Sequence, residues 1–230
     1  MIYTQLTDKI RLYNGDNMEF MAALPDKYYD LAICDPPYGI GVSKRETIGG
    51  GGNKIKPTKF RVSDWDNAIP DLEYFTKVQR VAKNVIIWGG NYFASMLPYS
   101  SCWIVWDKNN GGSDFADCEL AWTNFDTAVR KYKYTYNGFI QGSTGKPKNN
   151  TKRIHQCQKP IDLYRWLLQK YAKKGDKIFD SHAGSFTHGR ACYLEGFEID
   201  GIELDPFHYS DAVAEFEKFL QIQKSQPKLF

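Results

Sequence analysis

Apolar positions along this chain gather into short runs, and amphipathic stretches separate them. Lys9 to Tyr13 alternates as a short strand does, and Met18 to Leu24 follows as a helix behind Asn14-Gly15-Asp16-Asn17. Leu31-Ala32-Ile33-Cys34 is apolar throughout, as expected of a strand covered on both faces. Leu72, Phe75, Val78 and Val81 recur at helical spacing within Asp71 to Ala82, and Asn84 to Trp88 is again a buried strand, ended by Gly89-Gly90. Cys102 to Trp106 and Cys118 to Trp122 predict two further strands, with Gly111-Gly112 between them. The spacing then predicts a helix over Ile161 to Tyr171, opened by Pro160, and a strand over Lys177 to Asp180. A helix through Leu194, a strand over Ile199 to Leu204 and a last helix from Pro206 complete the pattern, with a frayed tail from Gln223.

Helices alternating with apolar strands predict an α/β fold built on a doubly wound, mainly parallel sheet. With 230 residues, 42% of them apolar and 15% aromatic, the chain can bury one substantial core, so residues 1–230 are expected to form one domain. Two insertions interrupt it. Residues 40–68 contain Gly49-Gly50-Gly51-Gly52, whose backbone entropy predicts a mobile loop, either a lid over a site or an insertion without a role. Residues 127–157 contain Lys131-Tyr132-Lys133-Tyr134-Thr135-Tyr136, an alternation that suits a β-ribbon facing phosphates and bases or an ordinary strand. Trp88, Trp103, Trp106 and Trp122 read as core rather than as stacking platforms.

The chemistry begins where Leu31-Ala32-Ile33-Cys34 stops, in Asp35-Pro36-Pro37-Tyr38-Gly39. Two prolines force a stiff, extended exit from the strand, which places a carboxylate, a carbonyl and a ring at one strand tip. Taken in order, Asp35-Pro36-Pro37-Tyr38, Gln158-Lys159-Pro160, the segment from Asp180 to Gly184-Ser185, and Gly201-Ile202-Glu203-Leu204 resemble the beta-class, circularly permuted DNA amino-methyltransferases. The resemblance covers nearly the whole chain. It implies S-adenosylmethionine as cofactor, DNA as substrate, and adenine N6 or cytosine N4 as the methylated atom; Asp rather than Ser before Pro-Pro-Tyr leans towards adenine. On that reading Asp35 and the Pro36 carbonyl each accept one amino hydrogen, steering the nitrogen lone pair out of the ring, while Pro37 stiffens the tip and Tyr38 stacks on a flipped base. A catalytically silent cofactor or nucleic-acid binding module is the alternative.

The same resemblance implies cofactor contacts from Asp16, Asp35, Lys159, Asp180, Ser181, Gly184, Ser185, Glu203 and Asp205. Asp16 also reads as a plain helix cap, and Glu203 stands where an acid accepts hydrogen bonds from both ribose hydroxyls. The loop from Asp180 departs from the family pattern: Ser181 and His182 replace Pro-Phe, and Phe186, in place of a glycine, is expected to narrow the pocket.

Net charge is only +3, but its distribution is informative. Six basic residues stand against one acid from Gly39 to Arg61, and eight against none from Thr127 to Lys159, so the rest of the chain is acidic. Two basic segments on such a body predict contact with a polyanion through Lys44, Arg45, Lys131, Lys133, Lys146, Lys148, Lys152 and Arg153. The expected partner is duplex DNA; a homodimer and a cognate restriction enzyme are further partners that the resemblance allows. Five cysteines without a C-x-x-C pair, and four scattered histidines, give no metal-binding spacing and suit reduced thiols. No apolar run long enough for a membrane span or a secretory leader occurs, so a cytoplasmic protein is expected, with no membrane partner.

Overall fold

The computed structural model describes residues 1–44, 46–48, 58–59, 61–110, 116–137, 140–142 and 154–225. The chain opens with β1 (Ile2–Gln5), β2 (Ile10–Asn14), α1 (Asn17–Ala22) and β3 (Tyr29–Cys34). A single helical turn at Val42–Lys44 and a small ladder of β4 (Thr47–Ile48) with β5 (Thr58–Lys59) precede α2 (Leu72–Val81) and β6 (Ala82–Trp88). Next come β7 (Trp103–Asp107), β8 (Cys118–Thr123), β9 (Arg130–Lys133) and a hairpin of β10 (Thr135–Asn137) with β11 (Ile140–Gly142). The last part alternates strictly: α3 (Ile161–Tyr171), β12 (Lys177–Asp180), α4 (Thr187–Glu195), β13 (Glu198–Glu203) and α5 (Pro206–Ser225).

Among the described residues, nine strands form one sheet in the order β1-β2-β13-β12-β3-β6-β8-β7-β9. From β2 to β6 all neighbours are parallel, whereas β8 runs antiparallel to both β6 and β7. Successive residues of the central strands serve opposite faces, as the pleat requires. Leu31, Ile33, Ile86 and Trp88 join the core beneath α3, α4 and α5, while Ala32, Cys34, Val85 and Ile87 join the one beneath α1 and α2. This double burial is why β3 and β6 read as unbroken apolar runs. The mainly parallel, doubly wound sheet matches the expectation, and Trp88, Trp106 and Trp122 are core residues at 2% exposure or less.

Chain direction reverses between β3 and β12. From β3 the chain proceeds through α2 to β6 on one side; from β12 it proceeds through α4 to β13 on the other. Such a switch point opens a crevice at the carboxyl ends of its two strands, here beside Asp35 and Asp180. The start of β8 comes to the same edge because that strand is antiparallel.

One open reading is decided and one expectation is revised. Lys131-Tyr132-Lys133 is not part of a free ribbon but pairs in parallel with β7 at the sheet edge. Its rings turn inward: Tyr132 stacks on Trp166 at 4.9 Å, and the buried Tyr134 donates to Asp162 at 2.9 Å. Phe186, expected to narrow a pocket, instead sends its ring into the core. It adopts a left-handed backbone (φ 50°) and packs against Phe216 at 5.9 Å. Room for the ring comes from two glycines: a Cβ at Gly189 would lie 2.4 Å from Phe186 Cε1, and one at Gly201 2.4 Å from Cε2.

Gly201→Ala should therefore destabilise the protein by about 1–3 kcal/mol, the usual cost of overpacking a filled core. Urea unfolding should show a lower midpoint with an unchanged slope. Combining it with Phe186→Leu should recover part of the loss, and a parental midpoint in the single variant would show that the ring yields without cost.

Candidate active site

The tip of β3 carries a compact charge cluster. Tyr38 Oη donates to Asp35 Oδ1 at 2.7 Å, and Lys159 Nζ lies 2.5 Å from Asp35 Oδ2. The same ammonium donates to Tyr38 Oη at 3.2 Å and stands 3.2 Å from Glu119 Oε2, close enough for ionic attraction but off the direction of a hydrogen bond. Lys108 completes the cluster at 2.5 Å from Glu119 Oε1. Lys159 is only 3% exposed at its side chain, so its charge is matched by these carboxylates rather than by water. Burial disfavours the ammonium, yet Asp35 and Glu119 outweigh it and raise the Lys159 pKa. Burial would likewise lift Glu119, but Lys159 and Lys108 hold that carboxyl down at about 2. For Asp35 burial prevails over Lys159, with Glu119 adding to it, and the carboxyl is shifted upward. Of the two acids, Asp35 is thus the more ready to take a proton.

Tyr38 is fixed on its flanks. Tyr92 stacks on it at 4.9 Å and 18°, and Gly89, at φ 73°, leaves the space its ring needs, since a Cβ there would fall 2.3 Å from Tyr38 Cε1.

Across the crevice, the turn from β12 to α4 forms the other wall. Asp180 is an internal brace, accepting from His182 N at 3.1 Å and meeting His188 Nδ1 at 3.1 Å. Ser181 Oγ bonds Tyr74 Oη at 2.8 Å and His182 Nδ1 at 2.9 Å, and Asn17 holds the far side of that imidazole at 3.1 Å. Burial lowers the His182 pKa to about 4, so the ring is neutral. Gly184, at φ 51°, donates its amide to Glu203 Oε2 at 2.8 Å, while Asp205 N donates to Glu203 Oε1 at 2.9 Å. Burial pushes the Glu203 carboxyl up to about 7 against those two amides. His155, half-buried and held down to about 3 by desolvation, lies between Trp65 at 5.0 Å and His208 at 4.7 Å and faces Gly184.

Between these walls is a cleft of about 520 Å³, its open mouth included. Of the residues expected from sequence, Asp35, Pro36, Pro37, Tyr38, Lys159, Gly184 and Ser185 line it. Glu203 stands behind Gly184. Asp16 accepts from Met18 N and Glu19 N as the cap of α1, and Asp205 accepts from Phe207 N and His208 N at the start of α5. Lys44, Lys131 and Lys133 are exposed, with Lys131 3.5 Å from Asp107. Arg45, Lys146, Lys148, Lys152, Arg153 and the four-glycine run lie outside the described residues. Sequence reasoning missed Glu119, Asp66 and Trp65. For Glu119 a partial signal existed: an acid in the otherwise apolar strand Cys118-Glu119-Leu120-Ala121-Trp122 calls for either solvent or a cation beside it.

The DNA methylase family of N6 and N4 type matches residues 98–214, just over half of the chain. Type II methyltransferase M.HinfI of Haemophilus influenzae is 22% identical, over 84% of this chain and 64% of that protein, so the chain spans somewhat less than two thirds of that relative. Type II methyltransferase M2.MboI of Moraxella bovis is 23% identical, over 87% of this chain and 85% of that protein. In fold, the chain is similar to the M1.HpyAVI–SAM complex (TM-score 0.57, 21% identity, 90% of this chain and 99% of that one). It is also similar to the cytosine-N4-specific PvuII DNA methyltransferase (TM-score 0.59, 12% identity, 95% and 92%). The matched half includes Glu119, Lys159, Asp180 and Glu203, which close the crevice around Asp35, and the chain belongs to the N6/N4 family of DNA methylases.

Proposed function

We propose that this protein methylates the N6 amino group of adenine in DNA with S-adenosylmethionine as methyl donor. The observation that carries the reading is the Asp35 carboxylate, held at a strand tip by Tyr38 and Lys159 and facing the Gly184–Ser185 turn across the cleft. Each of its oxygens uses one lone pair on these donors and keeps another for an incoming amine. Adenine rather than cytosine rests on Asp35 as the first residue of the tetrad; the likeness in fold includes a cytosine-N4-specific enzyme and does not choose the base.

The residues present suit such a cofactor. Gly184 lacks a Cβ where a ligand would approach the backbone, it lines the same cleft as Asp35, and Glu203 offers a carboxylate next to that turn. TTHA0409 of Thermus thermophilus, 16% identical and similar in fold (TM-score 0.53), was solved in complex with S-adenosyl-L-methionine. When bound, the cofactor supplies an electrophilic sulfonium methyl.

The chain's own contribution is to prepare the nucleophile. Asp35 and the Pro36 carbonyl accept the two amino hydrogens, which weakens delocalisation of the nitrogen lone pair into the ring. Lys159 keeps the carboxylate oriented, and Asp35, its carboxyl raised by burial, is the acceptor for the proton that the methylated amine sheds. Lys131 and Lys133 on the edge strand, with Lys44 beside the tip, supply positive charge for the phosphate backbone.

Asp35→Ala should retain S-adenosylmethionine binding but lose about a hundredfold or more of methyl transfer, the usual effect of removing one preorganised acceptor. Single-turnover transfer of labelled methyl to DNA, followed by nucleoside analysis, reads both the rate and the base. Near-parental turnover would refute the role of Asp35, and N4-methylcytosine as the product would move the assignment to cytosine.

Glu203 generates a pH dependence. Its carboxyl titrates at about 7 and must be ionised to accept from both ribose hydroxyls, so cofactor affinity should rise from pH 6 to pH 8 and then level off. Calorimetric titration of Glu203→Gln should give weaker and pH-independent binding. The sign for stability is opposite: a carboxyl raised from 4.5 to about 7 favours the folded protein at low pH, and that contribution fades as pH rises through this window.

Replacing Lys131 and Lys133 together by Ala should lower the salt slope of DNA affinity by up to about 2, at about 0.9 per phosphate contact. An unchanged slope in fluorescence anisotropy would place the phosphate contacts elsewhere.

A further inference from the structure

Asp66 makes an unusual set of bonds for a loop residue. Its carboxylate accepts three backbone amides: Tyr38 N at 2.8 Å and Gly39 N at 2.9 Å on Oδ1, and Val42 N at 2.8 Å on Oδ2. The residue is 1% exposed, and among the described residues no cation pairs with it. Its own carbonyl accepts Gly41 N at 3.1 Å, and Ser63 N reaches Ser43 O at 3.1 Å, so residues 38–43 and 63–66 are laced together. Gly39 (φ 70°) and Gly41 (φ 69°) give the backbone the reversals that aim successive amides at one point. Converging amides of this kind form an anion nest, and here the chain fills its own nest.

The position of the nest gives it a function. Pro36 and Pro37 have no backbone N–H, so the rigid part of the tip cannot be fastened by its own donors. Tyr38 and Gly39 supply the first two amides after the prolines, and both are spent on Asp66. We infer that Asp66 is a positioning residue for methyl transfer: by clamping the amides that follow the prolines, it fixes the direction in which Asp35 and the Pro36 carbonyl are presented. The inference rests on the methyltransferase reading above.

The test is chemical rescue. Asp66→Ala leaves a cavity of carboxylate size lined by three amides, and formate is small enough to refill it. Expected are a fall in kcat of about ten- to a hundredfold, as small misplacements of reacting groups produce, with the dissociation constant for S-adenosylmethionine changed less than about threefold. Sodium formate should then restore kcat saturably, while sodium chloride at equal ionic strength should not, and formate should leave the parent protein unaffected. Formate should also raise the melting temperature of Asp66→Ala selectively, a readout that needs no turnover. Asp66→Asn keeps one oxygen for Tyr38 N and Gly39 N but sets an amide against Val42 N, so it should fall between the two and ignore formate. Parental kcat in Asp66→Ala, or a loss that formate leaves untouched in both rate and melting temperature, overturns the inference. Should Asp66→Ala not fold, Asp66→Asn decides it: lowered kcat at retained cofactor affinity supports the clamp, and parental kcat refutes it. A parent protein that transfers no methyl group to DNA defeats the functional reading instead, and the melting-temperature response still reports on the nest.

Discussion

Two carboxylates, Asp35 and Glu119, share one buried ammonium, Lys159, and every element around the crevice is constrained by that sharing. Removing one partner from a buried ion pair typically costs about 3–5 kcal/mol, because the charge left behind cannot reach water. The three residues come from the end of β3, the start of β8 and the segment before α3. Their charges balance only if those three points meet within a few ångströms, so the end of β3, the start of β8 and the entry to α3 are held to one another by one electrostatic requirement. Lys108 then compensates the second oxygen of Glu119, which lets Lys159 remain with Asp35.

The sheet explains why such a cluster can exist at all. In a parallel sheet the carboxyl ends of neighbouring strands share one edge, and at the β3/β12 switch point the helices depart to opposite faces, leaving that edge open. Asp35 and Glu203 are presented by strand ends there, while Gly184 and Ser185 belong to the turn that follows β12. Rigid strands carry the tip on one wall and the turn on the other, so the distance between them is set by sheet geometry rather than by loop conformation.

The sequence made some of this legible for definite reasons. β3 and β6 contain short apolar runs because both faces are buried, and the tip after β3 is marked by prolines whose conformational restriction is local. Gly184 announces itself because close backbone approach requires a missing side chain. What could not be read depends on pairing between distant segments. That β8 is antiparallel, so that Glu119 stands at its crevice end, follows from the tertiary path alone. Asp66 has no local pattern either, since its three amides come from residues 24 to 28 positions earlier. Lys159 was read as a cofactor contact from a short motif, and it lines the cleft; that its ammonium also lies against Asp35 is a placement no local pattern shows. The Lys-Tyr alternation after Arg130 admitted two readings because cations outward and rings inward is also what an edge strand over α3 needs.

Phe186 shows how a departure from a family pattern is absorbed. A position that demands φ near 50° is normally left to glycine, and a bulky residue there carries a conformational cost of about 1–2 kcal/mol. The ring offsets that cost by leaving the cleft side altogether and entering the core between Gly189 and Gly201, against Phe216, where it is fully buried. Burying an aromatic side chain returns about 1.5–3 kcal/mol, enough to cover the strain. The two glycines are therefore part of the same adaptation as the phenylalanine, and the turn keeps its amide on Glu203 and its open face at Gly184 although its sequence has changed.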